Sequence, residues 1–185
     1  RHRQMCIRDS SKADQIFFDK TGTLTDGELK IVNSVGLGGV SAATMLSYAA
    51  AVEKGSRHPV AKAIAKSSAE YEASDVKELP GSGVSGFVAG LEVFVEKPGS
   101  YQNQSELDQA LASAGPNTLV VVAWEGWAHG LIELSDELRP GAKEAVASLV
   151  AQGFEPVLLS GDNERRVSAI AKDLGIEKYL SLIHI

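Results

Sequence analysis

Apolar residues occur along this chain in two rhythms. Two short runs are uninterrupted: Ile16, Phe17 and Phe18 stop at Asp19, with Gly22 close behind, and residues 156–160 (Pro-Val-Leu-Leu-Ser) stop at Gly161, Asp162 and Asn163. Such runs, ended by turn residues, predict buried strands. Beside the second run the spacing becomes helical. Residues 140–152 carry Ala142, Val146, Leu149 and Val150, with Pro140 suited to a first turn and Gly153 to a stop, and residues 167–174 close on Gly175. Buried strands joined through helices predict a parallel, Rossmann-type α/β layer.

The middle of the chain has a different texture. Residues 41–54 and 59–70 read as helices, the first ended by Gly55. Between about residues 76 and 135, stretches such as 83–88, 91–95 and 118–122 read as antiparallel strands, interrupted by a helix over 105–114 that stops at Gly115. The expected architecture is therefore an α/β layer, residues 11–30 and 133–179, split by an inserted α+β domain with an antiparallel sheet, residues 31–132. No internal repeat or low-complexity segment interrupts this pattern.

Composition narrows the partners. Among 185 residues, 18 are basic and 24 acidic, a formal net charge of −6, with 44% apolar and 23% charged residues. These are values of a globular protein with a real core, and the acidic balance argues against a nucleic-acid partner. No apolar run is long enough to span a bilayer, and the single cysteine excludes a disulfide framework within the chain. The two ends are unusual. Codons compatible with residues 4–10 have a reverse complement that translates as the six residues of 180–185, which predicts that residues 1–10 and 180–185 are translated sequencing adapter. Without the first ten residues, 15 basic and 23 acidic side chains and no cysteine remain. Residues 11–179 are then expected to be an internal piece of a longer protein.

The strongest chemical signal is Asp19-Lys20-Thr21-Gly22-Thr23-Leu24-Thr25. An aspartate at the carboxyl end of a buried strand stands where open α/β sheets hold ligands. Its carboxylate can attack a phosphoryl group and form an aspartyl phosphate. The approach of two anions needs neutralisation, so Mg2+ and backbone N–H groups are expected nearby, with Gly22 and the flanking threonines supplying amides and hydroxyls. The heptapeptide resembles the phosphorylation motif of P-type ATPases, in the haloacid-dehalogenase-like superfamily. That resemblance implies that Asp19 is phosphorylated and that the Thr21 carbonyl, with Asp19, binds Mg2+. Phosphatases of the superfamily usually carry a second aspartate where Thr21 stands, so threonine implies a longer-lived acyl phosphate. Ser160-Gly161-Asp162-Asn163 resembles the superfamily's T-G-D motif, which gives Ser160 a phosphate-binding hydroxyl, Gly161 close backbone approach, and Asp162 and Asn163 caps of the following helix.

The insertion is expected to deliver the phosphoryl donor, ATP. Glu53 can accept from an adenine amino group, His58 can stack or hydrogen-bond, and Gly81 and Gly83 allow close backbone approach. The alternative for His58 is a helix N-terminal cap, with Pro59 in the first turn. No Walker-type loop is present. Glu53, Ser56, His58, Pro59, Gly81, Gly83 and Val84 together resemble the nucleotide-binding domain of the heavy-metal (P1B) subfamily, with Arg57 where glutamate is frequent and the usual glycine-asparagine motif not recognisable around residues 90–101. Residues 136–142 resemble the segment re-entering the phosphorylation domain, as a hinge; equally, Asp136 could cap a helix and Arg139 be solvated. Trp124, Trp127 and His129 read as sheet and turn packing. The resemblance implies the cytoplasmic part of a membrane ATPase, with transmembrane and actuator domains and a transported metal cation outside this chain. It also implies that the downstream lysine and G-D-G-x-N-D segment lie beyond residue 179, so that the piece alone does not turn over ATP. The rival readings are a soluble phosphatase of the same superfamily and a noncatalytic nucleotide-binding module.

Overall fold

The computed structural model describes residues 14–67, 70–162 and 164–181. The chain divides into two compact units, one of residues 1–27 with 136–185 and one of residues 28–135. The adapter-like residues 1–10, residues 182–185 and Asn163 lie outside the described residues.

In the first unit, β1 (Gln15–Asp19), β8 (Glu155–Ser160) and β9 (Lys178–Ser181) form a parallel sheet in the order β1-β8-β9. Helices α4 (Ala142–Ala151) and α5 (Glu164–Leu174) make the crossovers that parallel strands require. Leu158, fully buried, packs with Leu24, Val146, Val167, Ala171, Leu174 and Ile176 in one apolar cluster. β9 takes in Leu180 and Ser181, residues of the adapter-like stretch, and Ser181 pairs with Ser160. Pro140 does not open α4 as expected. Arg139 accepts a turn bond from Ala142, Gly141 adopts a left-handed conformation (φ 85°), and the helix begins only at Ala142.

The second unit holds most of an antiparallel sheet. β2 (Thr25–Gly36), β3 (Ala73–Leu79), β4 (Gly83–Val88), β5 (Leu91–Glu96), β6 (Thr118–Trp124) and β7 (Trp127–Leu138) lie in the order β2-β7-β6-β5-β4-β3. One face of the sheet packs on α1 (Ala42–Glu53) and α2 (Pro59–Ile64), through Met45, Val52, Ile64, Val93, Val95, Val122 and Ile132. The other face packs on α3 (Gln104–Ser113), through Leu107, Val121, Ala123 and Leu131. Alternate β6 residues serve opposite cores, which is why this strand reads as an unbroken apolar run.

Other departures from expectation concern β2, the helix from residue 59, and Trp127. β2 was not foreseen: it is an edge strand whose side chains are mostly exposed, so its sequence carries little apolar alternation. The helix expected over residues 59–70 ends at Ile64, where Ser67 donates back to the Ile64 carbonyl and apolar residues run out. Residues 68 and 69 of that stretch lie outside the described residues. Trp124 stacks on His129 (ring centroids 3.8 Å apart, planes 12° from parallel), as packing residues should, but Trp127 remains 43% exposed at the hairpin end.

Candidate active site and nucleotide cleft

β1 and β8 are adjacent and parallel, with Asp19 level with Leu159, so Asp19 and Ser160 end neighbouring strands at the same edge. Asp19 is exposed, whereas Lys20 is buried and its ammonium lies 2.7 Å from Asp162 Oδ2. Arg166 Nε stands 3.5 Å from the same oxygen. The Ser160 hydroxyl accepts from the Asp162 amide at 3.1 Å and, as a rotating hydroxyl, keeps its proton for another acceptor. The local order of the loop explains this geometry. Thr21 is extended (φ −76°, ψ 122°) and Gly22 left-handed (φ 77°), a sharp reversal that glycine adopts without Cβ strain.

The supports of this loop were only partly foreseen. Thr25 is fully buried; its hydroxyl donates to Asp136 Oδ2 at 2.6 Å and accepts from the Gly22 amide at 3.3 Å. The Gly22 N–H, expected to face a ligand, is therefore turned into the loop, while Thr21 and Thr23, whose hydroxyls were expected there too, stay exposed. Asp136 also accepts from the Gly27 amide at 3.0 Å. It sits in β7 and does not cap a helix. Arg139 is not simply solvated: Nε and Nη2 donate to the carbonyls of Thr25 and Gly22, each at 2.9 Å. The signal for both was their place just after the largely apolar stretch of residues 131–134, but their partners lie more than a hundred positions earlier in the chain.

The second unit brings the other predicted residues to one cleft of about 360 Å3, lined by Glu53, Ser56, His58, Gly81, Gly83 and Lys97 among others. Glu53 ends α1 and is 5% exposed; burial pushes its carboxyl up to about 7. His58 is the N-terminal cap of α2, its Nδ1 accepting from the Val60 amide at 3.3 Å, which leaves Nε2 for other partners. The His58 amide in turn donates to the Ser56 hydroxyl at 3.3 Å. Gly81 belongs to the turn between β3 and β4, and its carbonyl accepts from Lys97 at 2.9 Å. Gly83 is spent on the sheet: a Cβ there would lie 2.1 Å from the Val95 carbonyl oxygen. Glu96, missed in the sequence, accepts from Ser82 and Tyr101 along the same wall.

A family model described as haloacid dehalogenase-like hydrolase matches residues 13–185. The chain belongs to that family. Within it, the relatives are metal-transporting P-type ATPases. A copper-exporting P-type ATPase of Mycobacterium tuberculosis is 38% identical over 175 residues, 91% of this chain and 23% of the relative. A zinc/cadmium/lead-transporting P-type ATPase of Escherichia coli is 38% identical over 178 residues, 92% of this chain and 24% of the relative. The haloacid dehalogenase-like fold with its inserted domain is also that of a zinc-transporting PIB-type ATPase in its E2.Pi state, with TM-score 0.79 and 36% identity over 91% of this chain and 29% of that one. The catalytic domain of the CPx-ATPase CopB-B, described through its conformational changes upon nucleotide binding, matches with TM-score 0.73 and 32% identity over 95% of this chain and 65% of that one. The chain spans about a quarter of the length of these curated relatives. Among the described residues no helix is long and apolar enough to cross a membrane.

Proposed function

We propose that this chain is the nucleotide-binding and phosphorylation part of a P1B-type, heavy-metal-cation-translocating ATPase, lying on the cytoplasmic side of its membrane. The observation that carries this reading is Asp19 at the open end of β1, next to the strand ending in Ser160 and beside the ion pair of buried Lys20 with half-buried Asp162. An Asp19 carboxylate oxygen attacks the γ-phosphorus of ATP, the bond to the β-phosphate bridging oxygen breaks, and ADP leaves. Lys20 holds Asp162 through an ion pair, and Ser160 offers its hydroxyl proton to a phosphoryl oxygen.

The donor set suits Mg2+. Asp19 and the Thr21 carbonyl are hard oxygen donors, and the described residues hold no cluster of three or more acidic, histidine or cysteine ligands, in keeping with an ion that retains waters and substrate phosphate oxygens. When bound there, Mg2+ would supply charge neutralisation between carboxylate and phosphate. Thr21 brings no carboxyl group to activate water, which favours a persistent acyl phosphate over the rapid hydrolysis of a phosphatase.

The nucleotide is assigned to the cleft of Glu53, His58 and Gly81, whose apolar floor of Val84, Val95 and Val120 suits a purine ring. The test is phosphorylation of the full-length transporter with γ-labelled ATP and its cation. Acid-stable, hydroxylamine-labile label is expected and is lost in Asp19→Asn; label that persists in that variant overturns the assignment.

A further inference from the structure

We propose that Glu53 meets the nucleotide base as a neutral carboxylic acid, so that binding of an adenine nucleotide in this cleft takes up a proton. The inference rests on the nucleotide reading of the cleft given above. Its basis is where this carboxyl group stands. Glu53 is 5% exposed and lines the cleft, and no side-chain hydrogen bond or ion pair reaches it among the described residues. A buried carboxylate without a partner is costly, and the usual resolution is to take up a proton.

Three further influences act in the same direction. Glu53 is the last residue of α1, where the unpaired carbonyls concentrate negative partial charge that disfavours a second anion. Of the Asp, Glu, Lys and Arg side chains that line the cleft with it, two are acidic, Glu78 and Glu96, and one is basic, Lys97. α2 brings only exposed Lys62, β4 brings none, and β3 carries Asp75, Lys77 and Glu78, of which Glu78 lines the cleft. β5 carries Glu92 and Glu96, of which Glu96 lines it. Lys97 donates to the Gly81 carbonyl and the His58 Nδ1 caps α2, while Lys54, next in sequence and 4.0 Å from Glu72, and Arg57 are exposed and do not line the cleft. A bound nucleotide adds the negative charge of its phosphates, which again favours the neutral acid.

The protonated form also matches adenine better. Its carbonyl oxygen accepts from the exocyclic amino group while its hydroxyl donates to N1, so both polar atoms of that edge are satisfied. A carboxylate could accept from the amino group but would face the N1 lone pair with another lone pair. Guanine reverses the preference, because it offers two adjacent donors, N1–H and the 2-amino group, which suit a carboxylate.

Calorimetric titration of the chain with ADP and with GDP tests this at about pH 6 and about pH 8, in two buffers of different ionisation enthalpy, for wild type and Glu53→Gln. ADP affinity in the wild type is expected to fall about tenfold more across that interval than in the variant. Proton uptake should approach one at the higher pH and be smaller by nearly that amount in the variant. GDP should show no such excess loss. The variant controls for His58 and for the ADP phosphates, which titrate in both proteins. Equal pH slopes and proton counts in two proteins that both bind ADP overturn the proton linkage and leave the cleft a nucleotide site. No ADP binding by a wild-type chain with native circular dichroism overturns the cleft assignment and the linkage together. If Glu53→Gln does not fold, the infrared difference spectrum of the wild type decides. ADP added above neutral pH should produce the carbonyl band of a protonated carboxylic acid, and its absence overturns the proposal.

Discussion

Gly83 illustrates what contact adds to residue type. It pairs with Glu96 across β4 and β5, where a Cβ would meet the Val95 carbonyl oxygen at 2.1 Å and the Glu96 Cα at 2.6 Å. Both are backbone atoms, so the strands themselves would have to move apart. Gly83→Ala is expected to cost about 2–4 kcal/mol in urea denaturation. Gly81→Ala, where a Cβ meets nothing within 4 Å, should cost only about 1 kcal/mol, from its positive φ. Equal losses would contradict the close-approach explanation. The motif residues show the same limit. Asp19 was legible as a candidate nucleophile from its neighbours in sequence. That the Gly22 amide and the Thr25 hydroxyl turn inward was not, because the Asp136 carboxylate that anchors Thr25 comes from 111 positions away.

Among the elements, those with strong local signals were readable and those defined by their partners were not. α1 was foreseen within a residue, because Ser41 accepts from the Thr44 amide at 3.1 Å and so satisfies one of the orphan N–H groups of the first turn. Ser41→Ala is expected to destabilise the second unit by about 1 kcal/mol, lowering its melting temperature by roughly 5 °C, as followed by tryptophan fluorescence. β2 and β9 carried no comparable signal. β2 is an exposed edge, and β9 is four residues long and owes its conformation to the hydrogen bonds of β8. The strand over residues 83–88 was visible in its glycines and valines, yet its neighbours in the sheet follow from register alone.

On the scale of the whole molecule, the two units have separate apolar clusters, and this separation makes a prediction. Leu158 is fully buried in the first unit, while both tryptophans, Trp124 and Trp127, lie in the second. Leu158→Ala should remove about 2–5 kcal/mol from the first unit. Far-ultraviolet circular dichroism should then begin to fall at lower temperature while the tryptophan transition stays in place; a joint shift of both signals would mean the units unfold as one. The sequence by itself determined the chemistry available: a carboxylate at a strand end, a hydroxyl at a second strand end, and a glutamate and histidine flanking a helix break. These are properties of short contiguous stretches, where residue type and spacing act locally. Only the tertiary structure decided how those groups are held, because burial and pairing depend on residues remote in the chain. It joined Lys20 to Asp162 across 142 positions, braced the Asp19 loop with Arg139, and left Glu53 only 5% exposed in the wall of its cleft.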